Sequence, residues 1–514
     1  MVAPVVSSRR QEASPTAGCL IRGALKPEFD PVLTAAAMEF LTDLHRRFAP
    51  AINDLLNQRA FRQTCFDADA APGFSPATRS IRDGDWHLPE RNGPACEGRI
   101  ELKGPALPEV VAAVSVSDAD AFVADFEDSL VPTWDNLMAG QVAMRALAHE
   151  SKPRGGCNGS AARAPIQAIV RPRGWHLFER HILVDGDPVP AALVDFGLYF
   201  FHNAEKLTES GAAVWFCLPK LECHSEARLW AEIFSYSEYQ LGLSRGTIRA
   251  TVLIETVPAA FEMHEILYAL QDYAVALSVG HWDYILSLIK TWRTRSPCVL
   301  PDRSLITPDR HCLQALTRLL RDTCRQRGAL AMLRTPEPKS AVTDSRSANI
   351  ADAGRYLSRR INHAWPLPDN GGSAVRFPSV GSRELLLVPG GRVSEEGIAA
   401  NVSLCIRFGA AWLSGQSLVE AEGEVADAAL ADMARAQLWQ WIHHPKGVVC
   451  DGRNITAILV DTLIEHELKR LLGLHVPDGP SIIDYESSAA LLRQLIHQDT
   501  LAGHFTVVAY DALD

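Results

Sequence analysis

The sequence predicts an α/β fold, a TIM (β/α)8 barrel with an N-terminal helical region and a C-terminal helical domain over the barrel mouth. Three observations carry that expectation. From residue 99 onward short apolar, β-rich runs alternate with helical stretches, which is the pattern of a parallel sheet. Five of these runs lead directly into polar or charged residues at their C-terminal ends, the face of a barrel where reactive groups collect. Beyond residue 394 the apolar spacing is helical again.

In chain order, residues 31–64 carry Leu33, Ala37, Phe40, Leu41, Leu44, Phe48, Ile52 and Leu56 at steps of three and four, the spacing of a helix with one buried face. The strand candidates are Arg99-Ile-Glu-Leu-Lys, Ala121-Phe-Val-Ala-Asp, Ile166-Gln-Ala-Ile-Val-Arg, Val214-Trp-Phe-Cys-Leu-Pro-Lys, Arg249-Ala-Thr-Val-Leu-Ile-Glu and Ala276-Leu-Ser-Val-Gly. A seventh is Ala329-Leu-Ala-Met-Leu, and a weak eighth falls near Trp365. Residues 335–384 are rich in Pro, Gly, Ser and charge and read as irregular. Helical periodicity returns over 395–413, 425–442, 455–472 and 487–497. The division expected is a helical region over 1–95, a barrel with a metal site over 96–370 and a C-terminal helical domain over 385–514.

Composition narrows the function classes. A chain of 514 residues, 47% hydrophobic, can bury large cores. A net charge of -11 argues against a surface that neutralises nucleic-acid phosphates or anionic lipid, so a small-molecule substrate fits better. The eleven cysteines are scattered, the nearest pair being Cys217 and Cys223, with no CxxC and no zinc-site spacing. They read as reduced thiols. No apolar run reaches the length of a membrane-spanning helix. Arg9-Arg10 is followed by Gln11-Glu12-Ala13-Ser14, without the apolar core of an export signal, and the chain ends Ala-Leu-Asp, not a peroxisomal address. The expected compartment is the cytoplasm; the oligomeric state is not legible.

Among the motifs, Gly242-Leu-Ser-Arg-Gly246 matches the GxSxG nucleophile elbow, but a helical stretch precedes it and a strand follows, the reverse of what the elbow needs. It reads as a helix-to-strand turn. Glu255 and Asp283 each close an apolar run, so in a barrel both point toward one mouth; two hard oxygen ligands, completed by water and substrate oxygens, suit Mg²⁺. The competing reading is that they pair with arginines or cap the helices that follow. Asp125-Phe-Glu-Asp128 crowds three acids into four residues, which calls for a compensating cation, and Arg171 and Arg173 are the candidates. Arg171 serves equally to hold an anionic substrate or a developing enolate; a surface ion-pair network is the alternative. His443-His444 precedes Pro445 and reads as a helix C-terminal cap.

Longer stretches spell out a family. Phe122-Val-Ala-Asp-Phe-Glu-Asp-Ser129 with Pro132-Thr-Trp-Asp-Asn136, Ile169-Val-Arg-Pro-Arg-Gly-Trp-His176, Leu218-Pro-Lys-Leu-Glu222, and Gly246-Thr-Ile-Arg-Ala-Thr-Val-Leu-Ile-Glu-Thr-Val-Pro-Ala-Ala-Phe-Glu-Met263 through Trp282-Asp-Tyr-Ile285 resemble malate synthase A. So do Asp427-Ala-Ala-Leu-Ala-Asp-Met-Ala-Arg435 and Gln437-Leu-Trp-Gln-Trp441, and the similarity runs from about residue 35 to the C-terminal helices. The resemblance implies a Mg²⁺-dependent Claisen-type condensation of acetyl-CoA with glyoxylate, serving the glyoxylate cycle. Glu255 and Asp283 would hold the metal, Arg171 would stabilise the enolate, Asp427 would be the base, and Asp125, Glu127 and Asp128 would form the outer shell or position substrate.

The chain departs from the family pattern toward its C-terminal half. Ala331-Met-Leu-Arg-Thr-Pro336 stands where the family has a Gly-Gly-Met run, Asn362-His-Ala-Trp-Pro-Leu367 where it has an Asp-Gly-Thr-Trp segment on the acetyl-CoA side, Ser417-Leu-Val-Glu-Ala421 where it has Gly-Cys-Val-Pro-Ile, and His281 where it has Arg. Two alternatives to an active malate synthase therefore stay open: a non-catalytic relative that binds a keto acid, and a related acyl-CoA lyase or synthase with a different substrate pair.

Overall fold

Eight strands close into a barrel: β1 (Arg99–Gly104), β2 (Ala121–Asp125), β3 (Gln167–Arg171), β4 (Val214–Leu218), β5 (Ile248–Ile254), β6 (Ala274–Val279), β7 (Leu330–Pro336) and β8 (Ser358–Ala364). The computed structural model describes residues 16–90, 99–149, 165–336, 358–364, 380–421, 424–474 and 479–513. Strands β1 to β7 run parallel in chain order, each beside the next except where β7 and β1 are bridged by β8.

Alternation decides what each strand residue does. Val123, Ile169, Trp215, Cys217, Leu253 and Val275 point inward and fill the barrel lumen, where Trp215 donates from Nε1 to Thr251 Oγ1 at 3.1 Å. Their neighbours Phe122, Ala124, Val170, Phe216, Val252 and Ile254 point outward into the main core beneath the helices. Both faces are buried, and for that reason the strands read as continuous apolar runs.

The eighth strand differs from expectation. It ends at Ala364 and pairs antiparallel with both β7 and β1; Trp365 lies outside the described residues. A strand that runs antiparallel to its predecessor needs no crossover helix, and residues 337–357 lack the apolar helical spacing that would build one. The stretch 335–384 is thus not irregular throughout, since it includes β8, the end of β7 and a short helix at Ser382–Leu385. Residues 337–357 and 365–379 lie outside the described residues.

The N-terminal helix, Ala35–Asp67, opens on Thr34, whose side chain accepts from Ala37 N. It buries Ala37, Leu41, Leu44, Phe48, Ile52 and Leu55, with Leu56 only partly buried against the same core. It packs on the helix Ala191–Glu209, where Gly197 allows the approach: a Cβ there would stand 3.2 Å from Leu44 Cδ1.

The helices Glu395–Leu413, Ala428–His443, Ala457–Leu472 and Ile482–His497 form the C-terminal part. Ala428–His443 is buried along almost its whole length and packs against His281–Thr291, the helix after β6. Trp441 Nε1 and Gln437 Nε2 each donate at 2.8 Å, to Leu300 O and Pro301 O. At its other end Ala428 N donates to Asp128 O at 3.3 Å and Ser417 Oγ donates to Ser129 O, so this helix starts directly above the C-terminal ends of the barrel strands.

Gly242 and Gly246 sit at positive φ in the turn between the helix His224–Gln240 and β5, so the GxSxG match is a turn. His443 Nδ1 bonds Trp439 O at 2.9 Å in the last turn of its helix, as a C-terminal cap does. The nine described cysteines are all free. Among the described residues no helix is long and apolar enough to cross a membrane.

Candidate active site

The inward parity that fills the lumen also sets the mouth. Continuing it to the C-terminal strand ends brings Lys103, Asp125, Arg171 and Glu255 together on β1, β2, β3 and immediately after β5. Asp283 joins them from the first turn of His281–Thr291, and Lys220 from the loop after β4.

Arg171 is the hub. Its Nη1 lies 3.1 Å from Asp125 Oδ2 and 2.5 Å from Asp128 Oδ2, and its Nη2 lies 3.0 Å from Glu127 Oε2 and 3.5 Å from Glu255 Oε1. The third donor, Nε, is buried and has no hydrogen-bond partner among the described residues. A buried unpaired N–H is costly, so this one calls for an acceptor brought by a ligand. Lys220 works beside it: its main-chain N donates to Glu255 Oε1 at 2.7 Å, and its ammonium bonds Asp283 Oδ1 and lies 3.4 Å from Asp128 Oδ1 and 3.8 Å from Glu127 Oε2. Lys220 adopts φ 54°, a left-handed conformation that costs a non-glycine residue energy and is kept only where its surroundings impose it.

The acid triplet has a local cause. Asp125 Oδ1 accepts from Glu127 N at 3.0 Å and Asp128 N at 3.2 Å, and its Oδ2 accepts from Ser129 Oγ at 2.8 Å, which folds the strand end into a turn aiming all three carboxylates inward. Lys103 Nζ adds an ion pair to Asp125 at 2.8 Å.

Charge at the mouth is unbalanced. Five buried carboxyl groups, Asp125, Glu127, Asp128, Glu255 and Asp283, face Arg171, Lys220 and Lys103. Burial would raise Asp125, but Arg171 and Lys103 outweigh it and hold the carboxyl at about 2; Asp128 is likewise lowered against its burial by Arg171 and Lys220. Glu127 and Asp283 go the other way. Burial first, then Asp128 and Glu255 facing them, push both well above the usual carboxylate range despite Lys220 and Arg171. Burial opposes the charge on Arg171 and Lys220 too, yet the surrounding carboxylates raise both.

An all-oxygen donor set short of positive charge fits a hard divalent cation. The space agrees: a Cβ at Gly280 would lie 2.5 Å from Glu255 Oε2, so that volume is reserved for the carboxylate. Among the described residues no group of three or more His, Cys, Asp and Glu forms a complete metal cage. Two protein carboxylates with the remaining positions left to water and substrate is the pattern Mg²⁺ commonly takes.

Asp427 stands apart. It caps Ala428–His443, its Oδ1 accepting from Leu430 N at 3.3 Å, and its side chain is 24% exposed. Lys103 Nζ is 3.5 Å from Asp427 Oδ2.

Arg173 does not compensate the acid triplet. Its guanidinium bonds Asp195 at 2.8 and 2.9 Å and Glu179 at 2.8 Å, because the Ala191–Glu209 helix and the strand Phe178–Val184 bring those acids closer. Glu222 also turns away, toward Arg59 and Arg62 of the N-terminal helix. Asp283 lies in a helix first turn rather than on a strand end, while Glu255 follows β5 as expected. Sequence reasoning did not single out Lys103 or assign Lys220 a role. Strand parity alone marks Lys103, two residues beyond Glu101 and on the same face.

Comparison with known proteins bears on what this mouth does. Residues 18–80 match the family model for the malate synthase N-terminal domain, 167–334 the malate synthase TIM barrel domain and 392–513 the malate synthase C-terminal domain. Malate synthase of Myxococcus xanthus is 38% identical, with 97% of this chain and 97% of that one aligned. Malate synthase A of Escherichia coli is 36% identical over 94% and 96% of the two chains, and malate synthase of Streptomyces clavuligerus is 37% identical over 98% and 99%.

Proposed function

Because the chain belongs to the malate synthase family, we propose that its barrel mouth condenses acetyl-CoA with glyoxylate and releases malate and CoA. The enzyme is an acyltransferase that converts its acyl group to an alkyl group on transfer. The observation that carries the residue assignment is the buried, charge-deficient carboxylate cluster around Arg171, with a separate carboxylate, Asp427, at the start of a helix above it.

In this reading Asp427 takes a proton from the acetyl methyl group. Its separation has a reason: a carboxylate beside a divalent cation loses basicity, and Asp427 belongs to another element than Glu255 and Asp283. Arg171 meets the negative charge that develops on the thioester oxygen, its unpartnered Nε being the free donor and its charge held by four carboxylates. The enolate carbon bonds to the aldehyde carbon of glyoxylate, the aldehyde oxygen becomes the hydroxyl of the product, and water cleaves the thioester. Glu255 and Asp283 would hold Mg²⁺, which when bound makes the aldehyde carbon more electrophilic. Asp125 and Glu127 orient what binds there and Asp128 anchors Arg171. The nine described cysteines, all free, support a reducing compartment, the cytoplasm in this reading.

The test is release of free CoA thiol from acetyl-CoA and glyoxylate, with and without Mg²⁺, for the wild type and Asp427→Asn. Release that needs both glyoxylate and Mg²⁺, and that falls by about 10²–10⁴-fold in the variant, is the expected result. No release from folded wild type sinks the reading and turns attention to other acyl-CoA and oxo-acid pairs.

A further inference from the structure

The mechanism above leaves the Asp427 carboxylate to be held in place by very little. Its helix cap uses Oδ1, a quarter of the side chain is exposed, and it sits on a part of the chain that carries none of the other reacting groups. A base must lie within hydrogen-bond reach of the proton it removes, so an unanchored carboxylate of this kind loses rate through misplacement alone.

Lys103 supplies an anchor. It is 8% exposed, it projects from the end of β1 on the lumen side, and its ammonium spans from Asp125 Oδ2 at 2.8 Å to Asp427 Oδ2 at 3.5 Å. Asp125 is fixed in turn by Arg171, by two main-chain N–H groups and by Ser129 Oγ. The chain of contacts therefore runs from the hydrogen-bonded strand end at Asp125 to the free oxygen of the base. Among the described residues Lys103 is the only cation paired with Asp427, whereas Asp125 keeps Arg171 if Lys103 is removed.

We propose that Lys103 is a positioning residue for the condensation, tethering the Asp427 carboxylate to the barrel in the orientation from which it takes the acetyl methyl proton. This rests on the assignment of Asp427 as the base. In this role Lys103 works through Asp427, holding its carboxylate rather than acting on the substrate. The tether crosses from the barrel to the C-terminal helices alongside the Ala428 N to Asp128 O hydrogen bond, and it is the only link of that boundary that ends on the base itself among the described residues.

The test compares Lys103→Gln, Lys103→Met and Lys103→Arg with Asp427→Asn, measuring kcat, KM for each substrate and the isotope effect on kcat with acetyl-CoA deuterated at the methyl group. Gln keeps an N–H donor for Asp125 but removes the charge at Asp427. The expected result for Gln and Met is a fall in kcat of about 10- to 100-fold with both KM values within about threefold of wild type, and an isotope effect that rises because proton removal has become slower than the other steps. Arg restores most of kcat. A Gln variant with wild-type kcat overturns the proposal, as does a loss of rate with unchanged isotope effect and raised KM, or a Gln variant that does not fold, since each assigns Lys103 to structure alone. If Asp427→Asn itself keeps its activity, the base assignment has failed and the proposal falls with it; if Asp427→Asn is inactive while Lys103→Gln is normal, only the proposal about Lys103 has failed.

Discussion

Gly280→Ala adds one methyl group and tests whether the Glu255 carboxylate must sit where the structure puts it. Gly280 has φ -107°, so no backbone conformation demands a glycine there; the reason is space. The new Cβ would lie 2.6 Å from Glu255 Cβ and 2.5 Å from Glu255 Oε2. Non-bonded carbons settle at about 3.5–4.0 Å, so about 1 Å has to open between them. Glu255 has little room to retreat, because Oε1 accepts from Lys220 N at 2.7 Å and lies 3.5 Å from Arg171 Nη2. Gly280 N is itself hydrogen-bonded to Ile254 O at 3.3 Å. Overpacking of this kind costs about 1–3 kcal/mol of stability, and a 1 Å displacement of a positioned group costs on the order of 10²-fold in rate. The assay is CoA thiol release titrated with Mg²⁺, together with the shift in thermal midpoint that Mg²⁺ produces. The expected outcome is a lower kcat, a higher half-saturating Mg²⁺ concentration and a smaller midpoint shift. Gly186→Ala is the control: its φ of 99° penalises any side chain, but nothing lies within 4 Å of the added Cβ, so stability drops without any change in Mg²⁺ response. Wild-type kcat and Mg²⁺ dependence in Gly280→Ala would refute the reasoning.

Arg173→Met leaves Asp195 and Glu179 buried without their guanidinium and should cost about 3–5 kcal/mol of stability, read from denaturant midpoints, while the folded fraction keeps its Mg²⁺ dependence. The pH dependence of stability follows from the buried histidines. His504 is held at about 4, first by burial and then by Lys290. Below its unfolded value the denatured chain takes up a proton that the native state refuses, so stability falls as the pH drops from about 6.5 toward 4. Thermal midpoints across that window should decline less steeply in His504→Gln than in the wild type; parallel curves would remove His504 from the account.

What the sequence reveals of this molecule is what short-range pattern can encode. The strands are legible as continuous apolar runs, but which of their residues face the lumen, Val123, Ile169, Trp215 and Leu253 among them, is not, because both faces are buried. Asp125, Arg171 and Glu255 are legible as the charged residues that close those runs. Lys103 closes its run in the same way, but a lone lysine at a strand end has too many ordinary explanations to be chosen without Asp427 beside it. Arg173 is expected to serve the acid triplet because it stands with Arg171 at the end of an apolar run; its true partners, Glu179 and Asp195, lie on elements whose approach is set by tertiary packing. The eighth strand is only weakly legible and its antiparallel direction is not, because strand direction follows from pairing with β7 and β1 rather than from composition.

The cost of the mouth explains its placement. Buried ion pairs are poor sources of stability, since desolvation offsets most of the attraction and apolar groups of the same shape often do better. Here the imbalance is worse than a pair, because Glu127 and Asp283 are raised even with Arg171 and Lys220 among them. A barrel can carry such a cluster at the strand ends because the lumen below is packed with Trp215 and its apolar neighbours and the outward residues Phe122, Val170, Phe216 and Val252 are buried in the core with the helices. The base cannot join the cluster without being drawn into the same field. Placing Asp427 at the start of Ala428–His443 leaves it partly solvated and, among the described residues, ion-paired to the barrel through Lys103. Its position then depends on how that helix docks, so the chemistry tests the packing of Ala428–His443 against His281–Thr291 as directly as it tests the barrel.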